Sequence, residues 1–188
     1  MTFDNCYTDS LPCMSARREL HTGRYNFLHR GWSPLGLFDD SMPQMLDEAG
    51  IHTRLISDHV HYSEDEEATY YNRYTIWENV RGQEGDRWKC DLTNTALPDT
   101  AIPIGDPAMR KFKEHSQKQD VINRSYMPAS DNSNQTRVFQ GGLEFIDTNH
   151  SADHGLLQIE CFDPHEPFFT FEEYLKIYDI PDIGKQWD

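Results

Sequence analysis

The sequence lacks long apolar runs, an excess of positive charge and paired cysteines, and each deficit disfavours a class of protein. No run of about 18 apolar residues occurs, so we expect no membrane-spanning helix. Lysine and arginine number 17 against 32 acidic residues, giving a net charge of -15. Nucleic acid is therefore not an expected partner, because its binding sites need clustered cations. A small anionic substrate remains compatible, since a few convergent cations in a cleft outweigh a diffuse negative exterior.

The four cysteines, Cys6, Cys13, Cys90 and Cys161, are scattered and include no CxxC pair. A disulfide framework is therefore not expected, and a reducing compartment is the simpler prediction. The first residues combine neither a basic start nor an apolar segment, so no signal peptide is predicted. Together these features favour a cytoplasmic protein that does not bind membranes.

The length of 188 residues suits one domain with a sizeable core. Ser41 and Gly50 are placed to begin and end a short helix, and residues 51–57 then alternate as a strand does. This succession is one unit of an α/β sheet. Further helices are predicted at 15–21, 106–126, 135–149 and 171–178, further strands at 2–7 and 156–162, and an irregular connector at 91–107.

Two of these strands, 51–57 and 156–162, end in loops that carry histidine. His59 and His61 follow the first strand, and His165 follows the second. Sites in open α/β sheets form at the carboxyl ends of the strands. We therefore expect these histidines to lie near a functional site.

Cys13 lies at the mouth of the first predicted helix, and Arg17 follows one turn later. Unpaired N–H groups and the helix dipole favour anionic chemistry at such a position. Arg17 shares the helix face of Cys13 and could bind an oxyanion in a bidentate manner. On spacing alone, a buried structural cysteine beside surface arginines is an equal alternative.

The stretch from Cys13 to Arg24 resembles the signature of type I sulfatases, which belong to the alkaline phosphatase superfamily: Cys-x-Pro/Ala/Ser-x-Arg, then Thr-Gly-Arg. In that family the cysteine is oxidised to formylglycine, whose hydrated aldehyde attacks sulfur or phosphorus and forms a covalent ester. The resemblance implies that Cys13 is the nucleophile and a calcium ligand, that Arg17 stabilises its charge, and that a sulfatase-maturing enzyme acts on the chain. Ser15 stands where many members have proline.

Segment 57–62 resembles the Gly-Lys-Trp-His-Leu element of the family in position. The resemblance implies that His61 contacts the formylglycine and that His59 replaces a sulfate-binding lysine. We expect an extended backbone here, with both imidazoles on one side. Histidines spaced in this way also suit zinc, so a non-enzymatic zinc-binding or interaction protein that uses Cys13, His59, His61 and His165 stays open.

Segment 163–167 resembles the Pro-His-x-Pro loop of the family, in which prolines fix the backbone around a histidine. The resemblance implies that His165 binds the sulfate and acts as a general acid. A structural histidine in a proline-rich turn is the alternative. In loop 81–88, two glycines and Trp88 could serve sugar binding, although such a loop is more often an ordinary polar turn.

Part of the family pattern has no match in this chain. Its aspartate pair before the cysteine is absent, and Asp153-His154-Gly155 imitates a later ligand group on the wrong side of the Pro-His loop. We therefore expect residues 1–188 to form a single incomplete sulfatase catalytic domain. Its fold class would be α/β, a partial alkaline-phosphatase/sulfatase-like sheet flanked by helices, without the first strand and the C-terminal part. We expect the isolated chain to bind calcium poorly and to have little activity.

The resemblance implies a sulfuric ester hydrolase that uses formylglycine and a divalent metal, with sulfated sugars as the expected substrates. Hydrolysis of phosphonate monoesters or phosphodiesters is the close alternative, because sulfate and phosphate esters share a tetrahedral geometry. An inactive fragment also remains open.

Overall fold

The computed structural model describes residues 2–8, 10–26, 30–65, 68–93, 97, 110–165 and 169–178. The helices in these ranges are α1 (Cys13–Thr22), α2 (Met42–Glu48), α3 (Arg110–Arg124), α4 (Asn134–Thr148) and α5 (Glu172–Leu175). The strands are β1 (Thr53–Ser57), β2 (Ile76–Asn79) and β3 (Leu156–Glu160), and short 3-10 turns occupy Val60–Ser63, Tyr71–Arg73 and Ser130–Asn132. None of the described helices has the length and apolar character needed to cross a bilayer.

The three strands form one sheet in the order β2-β1-β3. At the start of β3, the Leu156 N–H donates to the His52 carbonyl at 2.9 Å, immediately before β1. At the other end of β1, the Ser57 carbonyl accepts from Val80 at 2.8 Å, immediately after β2. The start of β3 thus lies beside the start of β1, and the end of β2 lies beside the end of β1, so the three strands are parallel. The α/β prediction is confirmed.

The chain divides into two compact units, each described separately below. The first comprises Met1–Leu55, His61–Glu78 and Asn149–Gln158. The second comprises Ile56–Val60, Asn79–Thr148 and Ile159–Asp188. Of the predicted site residues, the first unit contains Cys13, Arg17 and His61, and the second contains His59, Trp88 and His165.

The core of the first unit is built from aromatic and aliphatic side chains. Tyr70 is fully buried; its hydroxyl donates to the Ser33 carbonyl at 2.8 Å and its ring packs on Tyr62, with centroids 5.9 Å apart. Met14, on the first turn of α1, belongs to the same cluster. The start of α1 is therefore fixed by burial of the residue next to Cys13.

Helix α1 is also held by a buried arginine. Arg18 is 2% exposed, forms an ion pair with Asp39, and donates to the Ser33 hydroxyl at 3.0 Å. The helix ends at Gly23, whose left-handed backbone (φ 65°) lets its N–H donate to the Glu19 carbonyl. The sequence prediction of a helix at 15–21 is confirmed, and the helix begins two residues earlier than expected.

In the second unit, loop 81–88 packs against α3. Arg81 forms a bidentate ion pair with Asp86, at 2.8 and 2.6 Å, and the buried Asn123 of α3 donates to the Asp86 carbonyl at 2.7 Å. Gly82 has a backbone φ of 115°, and a Cβ there would lie 2.7 Å from the Trp88 ring. The conformation of loop 81–88 is therefore fixed by the Arg81–Asp86 ion pair and by the close approach of Gly82 to the Trp88 ring.

Two of the sequence predictions are wrong. Residues 2–8 contain no strand, and large side chains there, such as Phe3 and Tyr7, are mostly exposed. The segment after β1 is not extended, because Val60–Ser63 forms a 3-10 turn that buries Tyr62 in the core of the first unit. The predicted helices at 135–149 and 171–178 are present as α4 and the shorter α5. Most of the predicted connector 91–107, and the predicted start of the helix at 106, lie outside the described residues.

Candidate active site

Cys13 is the first residue of α1, with a half-buried side chain and a free thiol. The Pro12 carbonyl accepts from the Ala16 N–H at 3.3 Å, so the earlier N–H groups of the first turn have no acceptor within the helix. No acidic residue lies in that turn. The positive end of the helix dipole is therefore not neutralised locally and favours an anion at this position.

His61 lies beside Cys13 in the first unit and forms a side-chain hydrogen bond with it. On its other side, Nδ1 of the imidazole lies 2.8 Å from a carboxylate oxygen of Glu64. The edge of the ring meets Trp32, with centroids 4.9 Å apart. The His61 side chain is 21% exposed, so the contacts of Cys13, Glu64 and Trp32 fix its position while a path to solvent remains.

The electrostatic surroundings of His61 favour its charged form. Burial opposes the charge, but the hydrogen bonds to Cys13 and Glu64, together with the negative charges of Glu64 and of the Cys13 thiolate, raise the pKa of His61 to about 9. The imidazole is therefore protonated at neutral pH. A cation that can donate hydrogen bonds consequently stands next to the residue at the helix mouth.

Arg17 and Arg18 are adjacent on α1 but have different environments. Arg18 is buried and bound to Asp39, so its guanidinium anchors the helix. Arg17 is half-buried, and its four-residue spacing from Cys13 puts both on one helix face. Binding of an oxyanion by Arg17 stays a prediction.

The position of His59 does not match the expectation that both imidazoles lie on one side of an extended segment. Its side chain is fully buried, packs edge-on against Phe162 with centroids 4.9 Å apart, and its backbone N–H donates to the Ser57 hydroxyl at 3.0 Å. His61, in contrast, lies on the 3-10 turn and reaches the surface. The extended backbone expected for this segment is wrong, because a 3-10 turn begins at Val60. Sulfate binding by His59 stays a prediction and requires the buried ring to become accessible.

His165 follows β3 in the second unit, as predicted. Its half-buried ring packs on Phe162, with centroids 4.3 Å apart. In the same loop, the Asp163 carboxylate accepts from the Gln83 amide at 2.9 Å. Residues 166–168 lie outside the described residues, so Pro167 of the Pro-His-x-Pro motif is among them. The general-acid role of His165 stays a prediction.

Asp58 is a buried carboxyl group that the sequence reasoning overlooked. It is 1% exposed, and its Oδ1 accepts from the Phe162 N–H at 2.7 Å. Burial, followed by the charges of Asp163 and Glu160, raises the pKa of Asp58 to about 7, although the Phe162 hydrogen bond opposes the shift. Its position directly after a buried strand is the signal that could have identified it. Burial and the same carboxylates raise the pKa of Cys161 to about 12, so that thiol stays protonated at neutral pH.

Trp88 is enclosed by its neighbours in the second unit. Its ring packs over Gly82, meets Tyr126 with centroids 6.1 Å apart, and lies 4.5 Å from the Lys89 ammonium. These contacts give the ring a packing function. Stacking of Trp88 on a sugar stays a prediction.

The described residues do not fit a calcium ion. They contain no group of three or more His, Cys, Asp or Glu side chains arranged to hold a metal. Calcium requires about 6–8 oxygen ligands, whereas the groups identified around Cys13 are one imidazole and, beyond it, one carboxylate. The zinc alternative likewise has no ligand set within these ranges, because structural zinc takes about four ligands in tetrahedral geometry.

Glu64 is the second residue that the sequence reasoning missed. The sequence predicts an extended backbone for segment 57–62, and no role is assigned to Glu64 on that basis. In a helical turn, however, the spacing of three residues from His61 to Glu64 brings the two side chains together. Recognising that turn would have identified the pair.

Comparison with known proteins supports the motif-based resemblance. The family model described as Sulfatase matches residues 1–182, a range that includes the segments of Cys13, His61 and His165. Neither the curated proteins nor the solved structures returned a match. The family model spans nearly the whole of the 188-residue sequence. The chain therefore belongs to the sulfatase family.

Proposed function

We propose that the protein hydrolyses sulfuric esters of small anionic substrates, with sulfated sugars as the expected class, and that Cys13 is the precursor of its nucleophile. Membership of the sulfatase family gives the reaction type at the level of the family. The observation that carries the proposal is the contact of Cys13, at the mouth of α1, with the charged imidazole of His61.

The surroundings of position 13 suit a formylglycine, which a sulfatase-maturing enzyme would produce from Cys13. Formylglycine supplies a hydrated aldehyde, one hydroxyl of which is a nucleophile towards sulfur. The half-buried position at the helix mouth leaves room for a substrate and offers backbone N–H groups to negatively charged oxygen. The first turn of α1 itself contains no acidic residue, and the Glu64 carboxylate close to it is paired with His61.

His61 and Arg17 provide positive charge in this proposal. His61 lies where its imidazole can donate a hydrogen bond to the group at position 13 and so orient it, while Glu64 holds the imidazole and favours its charged form. Arg17, one turn along the same helix face, neutralises charge on the sulfuryl oxygens through its guanidinium. The two cations act in the transition state, where charge develops.

The roles of His165, His59 and Trp88 rest on the resemblance of their segments to family motifs. His165 is assigned as the general acid that protonates the leaving oxygen, since imidazole titrates near neutral pH. His59 is assigned to sulfate binding and Trp88 to stacking on the sugar. Separate substitutions at these three positions distinguish a rate effect, expected for His165, from affinity effects, expected for the other two.

Calcium enters the proposal on the family resemblance alone. Sulfatases typically use a divalent metal, with the modified cysteine among its ligands. Since the described residues do not supply an oxygen-rich set, no step of the reaction is assigned to calcium.

The decisive experiment combines peptide mass spectrometry with kinetics. We expect a fraction of residue 13 to have exchanged its sulfhydryl for an aldehyde oxygen when the protein is produced with a sulfatase-maturing enzyme. We expect the rate of nitrophenyl sulfate hydrolysis, which should be low for an incomplete domain, to increase with this fraction, and Cys13→Ala to abolish it. Hydrolysis by a chain whose Cys13 is unmodified would contradict the proposal. Parallel rates with phenylphosphonate esters decide between sulfate and phosphonate as the preferred ester.

A further inference from the structure

Phe162 contacts two of the histidines of the second unit that the sequence points to. Its ring meets the His59 ring edge to face, with centroids 4.9 Å apart and an angle of 79° between the planes. The His165 ring lies against it with centroids 4.3 Å apart and an angle of 38°. Phenylalanine neither transfers a proton nor binds an oxyanion, so it can influence the chemistry only through these neighbours.

The Phe162 side chain is held by contacts that do not involve His165. It is buried and packs against the fully buried His59 ring, whereas His165 is half-buried. The backbone N–H of Phe162 donates to Oδ1 of the buried Asp58 at 2.7 Å. The ring is therefore a fixed surface on which the more exposed His165 ring packs.

The residue after Phe162 is also held in place. The Asp163 carboxylate accepts from the amide of the buried Gln83 at 2.9 Å. The hydrogen bonds at Phe162 and Asp163 together restrict the backbone just before His165. The freedom that is left to the imidazole consequently lies mainly in its side-chain torsions.

Packing on an aromatic face restricts these torsions. An aromatic pair contributes enough beyond its buried area to favour one ring orientation over others by about two- to tenfold. A general acid depends on such a preference, because its N–H must point at the leaving oxygen over about 2.6–3.2 Å. A misplacement of about 1 Å in a catalytic group is already costly in rate.

We propose that Phe162 is a positioning residue that holds the imidazole of His165 in one orientation for proton transfer. As the bond from sulfur to the leaving oxygen breaks, that oxygen takes the proton from a ring nitrogen of His165. The use made of the imidazole rests on the proposed function, whereas its restriction by Phe162 does not. The two parts are therefore tested separately.

Side-chain NMR of the full chain tests the restriction without a substrate. We expect the χ1 couplings of His165 to report one rotamer in the wild type and in Phe162→Tyr, which keeps the ring. Phe162→Leu, which removes the flat face, should give couplings averaged over several rotamers. Unchanged couplings in Phe162→Leu would overturn the inference.

Val138→Ala is the matched control for lost stability. Val138 is a fully buried apolar residue of α4 in the same unit, and its truncation leaves the Phe162 ring intact. We expect the couplings of His165 to stay those of one rotamer in this variant. Averaging to the same extent as in Phe162→Leu would trace the effect to general loosening and would also overturn the inference.

Kinetics test the consequence for the reaction. Phe162→Leu should lower kcat for phenyl sulfate by about two- to tenfold and leave KM nearly unchanged, because the orientation of a general acid affects the chemical step. The loss should be smaller for nitrophenyl sulfate, whose leaving group departs readily without a proton. In a His165→Ala background, Phe162→Leu should have no further effect. Equal losses with and without His165 would overturn the inference.

Failure of the proposed function has a different signature. A rate that His165→Ala leaves unchanged, or no hydrolysis by the wild type, counts against the proposed reaction. The χ1 couplings would still decide whether Phe162 orients the His165 ring.

Discussion

Replacing Asp58 with asparagine isolates the electrostatic cost of a buried carboxylate in the second unit. The substitution keeps the side-chain oxygen that accepts from the Phe162 N–H at 2.7 Å, and it removes the charge. The second side-chain atom has no hydrogen-bond partner among the described residues in the wild type, and we expect none for the amide nitrogen. The free-energy cost of burying this unpaired amide nitrogen does not change with pH. The pH dependence of the stability difference between the two proteins therefore reports on the charge of Asp58.

The size and sign of the effect follow from the raised pKa of Asp58. An unfolded chain releases this proton near the ordinary pKa of 3.8, whereas the folded protein keeps it up to a pKa of about 7, mainly because of burial. Between these values the folded state binds the extra proton, so the stability of the wild type falls as the pH rises. The full cost, about 4 kcal/mol by linkage, is present above pH 7 and absent below about pH 4.

Urea unfolding of both proteins across this pH range is the assay. We expect the free energy of unfolding of Asp58→Asn, measured relative to that of the wild type, to increase as the pH rises. The increase from low to high pH should reach about 4 kcal/mol. Asp153→Asn, which changes an exposed carboxyl group, is the matched control and should show no such trend. A difference between Asp58→Asn and the wild type that is constant with pH would refute the reasoning.

Three further predictions concern the first unit. Glu64→Gln should lower the pKa of His61, measured by NMR titration of the imidazole C–H protons, because it removes a carboxylate 2.8 Å from the ring; an unchanged pKa would contradict the assigned ion pair. The His21 imidazole should show no protonation above about pH 5 in the same spectra, because burial, assisted by a nearby arginine, lowers its pKa to about 4; a midpoint near 6.5 would be inconsistent with that environment. Arg18→Met should destabilise the protein by about 2–3 kcal/mol in urea unfolding, because it removes the buried guanidinium from Asp39, a loss that Gly36 and Arg30 compensate only in part. Arg24→Met, which removes an exposed ion pair, is the control and should cost at most about 1 kcal/mol; equal losses would contradict the role given to Arg18.

Local signals were sufficient to predict much of the fold. Gly23 and Gly50 mark the ends of α1 and α2, and the apolar patterns of 51–57 and 156–162 predict β1 and β3. In each case the signal consists of a capping residue or a periodicity within the element itself. Such signals do not depend on which distant residues come into contact, so a single sequence reveals them.

Elements whose conformation depends on distant contacts were not predicted correctly. Segment 2–7 has β-forming residues but pairs with no strand in the described structure, so its propensity has no partner to satisfy. After β1, burial of Tyr62 in the aromatic core imposes a 3-10 turn on a segment that appeared extended. That turn creates the contact between His61 and Glu64, which no pattern of alternation contains.

The candidate site was predicted in part for the same reason. The motif identified Cys13 and His61, which the fold brings into hydrogen-bonding contact. The buried carboxyl of Asp58 was overlooked because its high pKa arises from burial and from charges about a hundred residues away in sequence. Electrostatic environments of this kind exist only after folding.

The burial of the residues after Cys13 has a consequence for the timing of protein maturation. Met14 and Ser15 are buried as soon as α1 packs against the aromatic core, although Cys13 itself remains half-exposed. An enzyme that recognises the cysteine together with its neighbours must therefore act while this segment is still unfolded. In the proposed maturation, oxidation of Cys13 would therefore compete with folding, and slower folding would increase the fraction of molecules that acquire the aldehyde.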